Sequence, residues 1–104
     1  MRRAILIAVA LCCFPLPAAG FYNGNQLLEF CNSTKGSFER GLCGGYIAGI
    51  ADKTDSTTYC IPSKATVCEL IDVVKLWLRD HPEKRHLSGG VLVAEALKEK
   101  FPCN

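Results

Sequence analysis

TVCELIDVVKLWLRDHP, residues 66–82, is the stretch whose reading decides the fold. Val67, Leu70, Ile71, Val74, Trp77 and Leu78 recur at intervals of three and four, the period of a helix that buries one side. Thr66 and Glu69 have the spacing of a capping box: the hydroxyl reaches forward to an amide and the carboxylate reaches back. Pro82 stops the helix after His81, because proline lacks the amide hydrogen that another turn requires. Cys68, Asp72, Lys75 and Arg79 take the opposite side. Leu76 falls among them, out of place on a polar face.

Three further helices are read outward from this one. A fourth helix starts near Ser88, with Gly90, Val93, Ala94, Leu97 and Phe101 as its core stripe and Pro102-Cys103 at its end. A second helix follows Gly36-Ser37, with Ser37 as cap and Phe38, Leu42, Tyr46 and Ile50 as its apolar stripe. Gly41, Gly45 and Gly49 lie opposite. Each glycine costs a helix about 1 kcal/mol against alanine, so a close helix–helix approach is expected there. A strand over residues 46–51 is the competing local reading. The first helix is short: Asn25 caps it, and Leu27, Leu28 and Cys31 form its apolar side. The segment 52–65 is long and polar, and Ile61 before Pro62 is held extended. The fold class is therefore all-α, a small four-helix bundle.

The amino terminus reads as an export signal. Met1-Arg2-Arg3 is basic, Ala4 to Phe14 is apolar, and Ala18-Ala19-Gly20 offers small residues for cleavage before Phe21. The apolar run is too short to span a bilayer. Lipidation at Cys12 is the lesser alternative, because Leu11 is larger than a lipoprotein site accepts. Residues 1–20 are then a cleaved signal peptide and residues 21–104 one exported domain. Arg2 and Arg3 account for the whole excess of 12 basic over 10 acidic side chains, so the remainder is neutral. Neither nucleic acid nor, after cleavage, a membrane is an expected partner.

Five cysteines remain in the exported part: Cys31, Cys43, Cys60, Cys68 and Cys103. Disulfides are expected in an oxidising compartment, and a domain this small needs them. Alternating helix directions bring the end of helix 1 to the start of helix 2, and the end of helix 4 to the 52–65 segment. Cys31–Cys43 and Cys60–Cys103 are the pairings proposed, with Cys60–Cys68 as the competitor. Cys68 is then a free thiol in the first turn of helix 3. A reactive or intermolecular cysteine is the sharp reading of it, and a spare thiol the favoured one, since neither a CxxC pair nor a base accompanies it.

The remaining chemistry is sparse. His81, Glu83 and His86 surround the helix 3–4 turn, but their spacing is not that of a helical zinc motif, and a capping turn is favoured. Asn32-Ser33-Thr34 is a formal glycosylation sequon. The chain has no nucleophile–base–orienter set, no phosphate loop and no paired carboxylates. The expectation is a non-enzyme with no catalytic residue, metal or cofactor.

Several segments together carry a family resemblance. They are Cys43-Gly44-Gly45-Tyr46-Ile47-Ala48-Gly49-Ile50-Ala51-Asp52, Cys60-Ile61-Pro62, Leu70 to Leu78, His81-Pro82-Glu83-Lys84-Arg85-His86, and Ala96 to Cys103. In this order they resemble the Tai/Rap family of periplasmic immunity proteins. Cys68 is extra to that family's four-cysteine frame, and Gly89-Gly90 stands where helix formers are usual. The resemblance implies a small, helical, disulfide-bonded and often dimeric protein. It also implies a role: neutralising a cognate peptidoglycan amidase toxin delivered by a type VI secretion system. A small periplasmic chaperone or stress protein is the alternative of another class. A homodimer is expected to use Leu76, Leu92 and Ala96, which lie off the core stripes. The toxin-binding surface is expected in the connections, because rigid helices aim loops. Asp55, Ser56, Thr57, Thr58 and Tyr59 form the main candidate, with Tyr59 as an aromatic anchor whose removal should leave folding intact. Glu83, Arg85 and His86 form the second.

Overall fold

A computed structural model describes residues 21–54 and 57–104. Four α-helices follow one another: α1 (Gly24–Cys31), α2 (Phe38–Thr54), α3 (Val67–Asp80) and α4 (Gly89–Lys100), with a 3₁₀ turn at Pro82–Lys84. Asn23 and Ser88 form an isolated antiparallel bridge, and no strand of regular length occurs among the described residues. None of the described helices is long and apolar enough to cross a membrane.

α3 forms over the expected span, and of the expected capping box the described residues show the forward half. Thr66 takes an extended backbone and its hydroxyl accepts the Glu69 amide at 3.2 Å. Leu70, Ile71, Val74, Trp77 and Leu78 are buried, whereas Val67 in the first turn is exposed. Leu76 is 60% exposed on the far side. α1 is capped by Asn23 rather than Asn25. Asn23 Oδ1 accepts the Gln26 amide (2.9 Å) while Gln26 Oε1 accepts the Asn23 amide (3.0 Å), a reciprocal box that starts the helix earlier. Asn25 lies inside the helix, its amide donating to the Arg85 carbonyl at 3.1 Å.

α2 is helical throughout, so the strand alternative at 46–51 is excluded. Gly36, at φ +86°, makes the turn that leads into it, and Ser37 Oγ accepts the Arg40 amide at 3.1 Å. Its inward face is Cys43, Ile47 and Ala51, one position along from the expected stripe. Leu42, Tyr46 and Ile50 are half-buried flanks, and Phe38 is exposed. The Cys31–Cys43 bond supplies a reason: Cys43 must face α1, which rotates the helix about one residue from where its large side chains alone would place it. The close approach expected at Gly41, Gly45 and Gly49 does not occur, for a Cβ at any of them would meet open space. Gly44 is the glycine that faces α3, with Val67 and Ile71 at 3.5 and 3.6 Å from its would-be Cβ.

α4 corrects two further expectations. Leu92 and Ala96, expected at a dimer contact, are 0% and 1% exposed and belong to the core. α4 packs against α1, α2 and α3, so two adjacent sides of it are covered where the sequence pattern suggested one. α1 supplies the extra cover: a Cβ on Gly24 would lie 2.5 Å from the Leu92 side chain and 2.9 Å from the Arg85 backbone.

Both proposed disulfides are present, Cys31–Cys43 and Cys60–Cys103, each with Cα atoms 5.0 Å apart. They span 12 and 43 residues, for which loop-closure entropy gives about 3 and about 4 kcal/mol. Cys68 is exposed and unbridged, which excludes the Cys60–Cys68 alternative.

Tyr59 is the largest correction. It is fully buried, one of the biggest enclosed side chains in the core. Its hydroxyl donates to the Ile50 carbonyl at 3.1 Å and also meets the Thr54 hydroxyl, at the last turns of α2. A side chain enclosed in this way cannot anchor a partner. We expect Tyr59→Ala to destabilise the domain by about 3 kcal/mol or more, the scale for emptying a large aromatic site. Tyr59→Phe, which loses only the hydroxyl, should cost about 1 kcal/mol. Urea denaturation followed by circular dichroism checks both. Equal midpoints for wild type and Tyr59→Ala would refute the core assignment.

Candidate recognition surface

The candidate residues stand at opposite ends of α3, which at 14 residues is about 20 Å long. At its start lie the end of α2, the 57–65 segment and the Cys60–Cys103 bridge. At its end lie the 82–88 turn, to which the start of α1 is bonded, and the last turns of α4, whose Glu99 and Lys100 share a hollow with Trp77, Asp80 and His81.

The turn at 82–88 is held on several sides. His81 ends α3 with a non-helical backbone, its ring stacks on Trp77 (centroids 3.9 Å apart), and its Nδ1 lies 2.7 Å from the Trp77 carbonyl. Lys84 Nζ sits 5.7 Å from the Trp77 ring centre and 3.5 Å from Glu95. Both Lys84 and Glu95 are well exposed, so that ion pair contributes little. The main-chain bonds matter more. The carbonyls of Arg85 and Leu87 accept the amides of Asn25 and Gly24, and the Tyr22 carbonyl accepts the Gly89 amide at 2.8 Å. Residues 22–25 thus clamp the turn. Glu83 and His86 project from it exposed. Arg85 is half-buried, and its Nε is enclosed without a hydrogen-bond partner among the described residues.

Tyr46 buttresses the same end from α2. Tyr22 packs edge-on against both Phe30 and Tyr46. The Ser88 hydroxyl does not cap α4; it serves Tyr46 instead, together with the Gly90 backbone. Burial raises the Tyr46 phenol above its ordinary value, and those two hydrogen bonds oppose the shift.

The other end presents less. Asp55 and Ser56 lie outside the described residues. Thr57 and Thr58 are exposed, and the Thr57 hydroxyl donates to the Thr54 carbonyl at 2.7 Å. Tyr59 faces inward. Asp52, on the last turn of α2, is exposed beside a hollow of about 200 Å³ lined by Ala51, Ile61, Pro62 and Leu70.

A third feature was not legible in the sequence. A groove of about 220 Å³ runs between α3 and α4, floored by Val73, Leu76, Trp77 and Ala96 and rimmed by Asp80, His81, Glu99 and Lys100. Glu99 accepts the Trp77 indole N–H at 2.9 Å. The sole signal for it was Leu76 on a polar face. Among the described residues no group of three His, Cys, Asp or Glu side chains could hold a metal ion.

The Tyr46 environment has a consequence for alkaline stability. A phenol raised in the folded state holds its proton more tightly there than in the unfolded chain. Its contribution is therefore complete below pH of about 10, the ordinary tyrosine value, and is lost as pH rises through the folded value. Between pH 9 and pH 11 the denaturation midpoint should fall further for wild type than for Tyr46→Phe. Parallel declines would contradict this.

The pattern of Rap1a immunity proteins matches residues 23–103, which include all four helices, both disulfides and both candidate loops. No curated protein matches the chain. A match of that extent, on a helical domain carrying the expected pair of disulfides, shows that the chain belongs to the Rap1a immunity protein family.

Proposed function

We propose that this chain is an exported, periplasmic immunity protein that binds a peptidoglycan amidase delivered by a type VI secretion system and blocks its active site. The observation that carries the reading is the family match across residues 23–103. The rigid, exposed turn at 82–88 supports it, because an inhibitor that occludes a cleft gains from a preorganised projection. Glu83 and His86, with the half-buried Arg85, are the contact residues assigned to that turn. Thr57 and Thr58, with Asp55 and Ser56, form a second contact at the other end. Tyr59 holds that second loop from within and makes no contact itself. The protein acts by binding and not by catalysis.

A peptidoglycan amidase gene is expected adjacent to this one, and the direct test uses that amidase. The purified exported chain should bind it stoichiometrically and abolish its peptidoglycan cleavage. Promiscuous, weak binding of unfolded proteins, with the amidase left active, would indicate a chaperone instead. In calorimetric titration, Glu83→Ala with His86→Ala should weaken binding by about 2 kcal/mol, the scale of an interface hot spot, with helix content unchanged. Unchanged affinity, together with a large loss in Thr57→Ala with Thr58→Ala, would move the main contact to the other end.

A homodimer belongs to the same proposal, and Leu76 beside the α3–α4 groove is the residue assigned to it. Light scattering should return a dimer mass at high micromolar concentration and a monomer mass for Leu76→Lys. A monomer mass for the wild type rejects the dimer and leaves the inhibitor reading standing.

A further inference from the structure

The two disulfides occupy opposite environments. Cys31 and Cys43 have no exposed surface and belong to the core cluster. The Cys31 carbonyl also accepts the Arg40 guanidinium at 3.1 Å. Cys60 and Cys103 are both exposed, and both lie in extended chain outside the helices. Beside the bridge, the Cys60 amide donates to the Phe101 carbonyl at 2.8 Å. Pro102, Cys103 and Asn104 beyond it are exposed.

That difference in access bears directly on reactivity. Thiol–disulfide exchange is the attack of a thiolate on a disulfide sulfur, so its rate depends on approach to that sulfur as well as on thiolate content. A sulfur enclosed in a core is attacked only after the core opens, whereas exposed segments outside the helices open at far smaller cost.

We propose that Cys60–Cys103 is a thiol-operated latch: solvent thiols open it while Cys31–Cys43 stays closed, and its opening separates residues 102–104 from Cys60, with Phe101 still seated against the core and the helices intact. The chemistry balances on small thiols alone. One thiolate bonds to a sulfur of the pair, the Cys60–Cys103 bond breaks, and the other cysteine leaves as a thiolate. A second thiolate displaces the mixed disulfide, giving the free dithiol and an oxidised small-molecule disulfide. The buried Tyr59, hydrogen-bonded to the end of α2, keeps the inner part of the segment seated while the exposed residues 102–104 are released. The proposal concerns the fold and does not depend on the immunity reading.

The test uses the oxidised exported chain carrying Cys68→Ser, which prevents exchange onto the exposed third thiol. The chain is incubated with dithiothreitol, trapped by alkylation at intervals and mapped by mass spectrometry. Cys60–Cys103 should open at least about tenfold faster than Cys31–Cys43, as access control requires. In 6 M guanidinium, about the concentration that unfolds ordinary domains, the ratio should collapse to within about threefold. Hydrogen exchange on the singly reduced form should quicken at the Cys60 amide and around residues 102–104, and stay slow through α1–α3. Equal native rates, earlier opening of Cys31–Cys43, or exchange that quickens across α1–α3 would each overturn the proposal.

Discussion

Burial of the apolar side of α3 is the interaction on which the rest of the structure depends. Leu70, Ile71, Val74, Trp77 and Leu78 are buried along it, and α1, α2 and α4 all pack against this helix. Each such side chain is worth about 1.5–3 kcal/mol when removed from water. In a domain of this size the total is offset almost completely by chain entropy. The disulfides therefore act where packing is thinnest. One ties the short α1 to α2, and the other ties the chain end to the long connection before α3.

The two ends of the bundle are built on different terms. At the 82–88 end, backbone hydrogen bonds from residues 22–25 meet a turn already held by Pro82 and by the Trp77–His81 stack. The carbonyls of Pro82, Lys84, Arg85 and Leu87 all accept main-chain amides, so the turn's exposed side chains project from a held base. At the other end the connection is secured from inside by Tyr59 and from outside by Cys60. Rigidity there rests on one enclosed aromatic ring and one covalent bond, the second of which solvent can reach.

Much of this was legible in the sequence, for identifiable reasons. Helix count, the α3 boundaries, the Ser37 and Thr66 caps and both disulfides follow from local signals. Capping hydrogen bonds join residues three apart, proline ends a helix where it stands, and alternating helix directions favour two cysteine pairings, although only the fold, with Cys68 exposed and unbridged, excludes the Cys60–Cys68 competitor. The misassignments lie where local signals are silent. On α2 the large side chains suggested a stripe at Leu42, Tyr46 and Ile50, but the buried one is Cys43, Ile47 and Ala51, because a covalent bond to α1 and a small face against α3 outweigh side-chain size. On α4, Leu92 and Ala96 appeared free because the sequence does not reveal that a second helix covers them.

Tyr59 marks the boundary between the two kinds of information. The sequence by itself determined that this is a small, all-helical, disulfide-stapled domain, because periodicity, caps and cysteine positions act over a few residues or through simple topology. It also carried the ordered motifs that place the chain among immunity proteins. Only the tertiary structure decided which side chains are available to a partner. A tyrosine in a polar loop reads as a surface anchor until the end of α2 offers it a carbonyl and a hydroxyl inside the core. Exposure is set by what packs against a residue from elsewhere in the chain, and that follows only from the assembled fold.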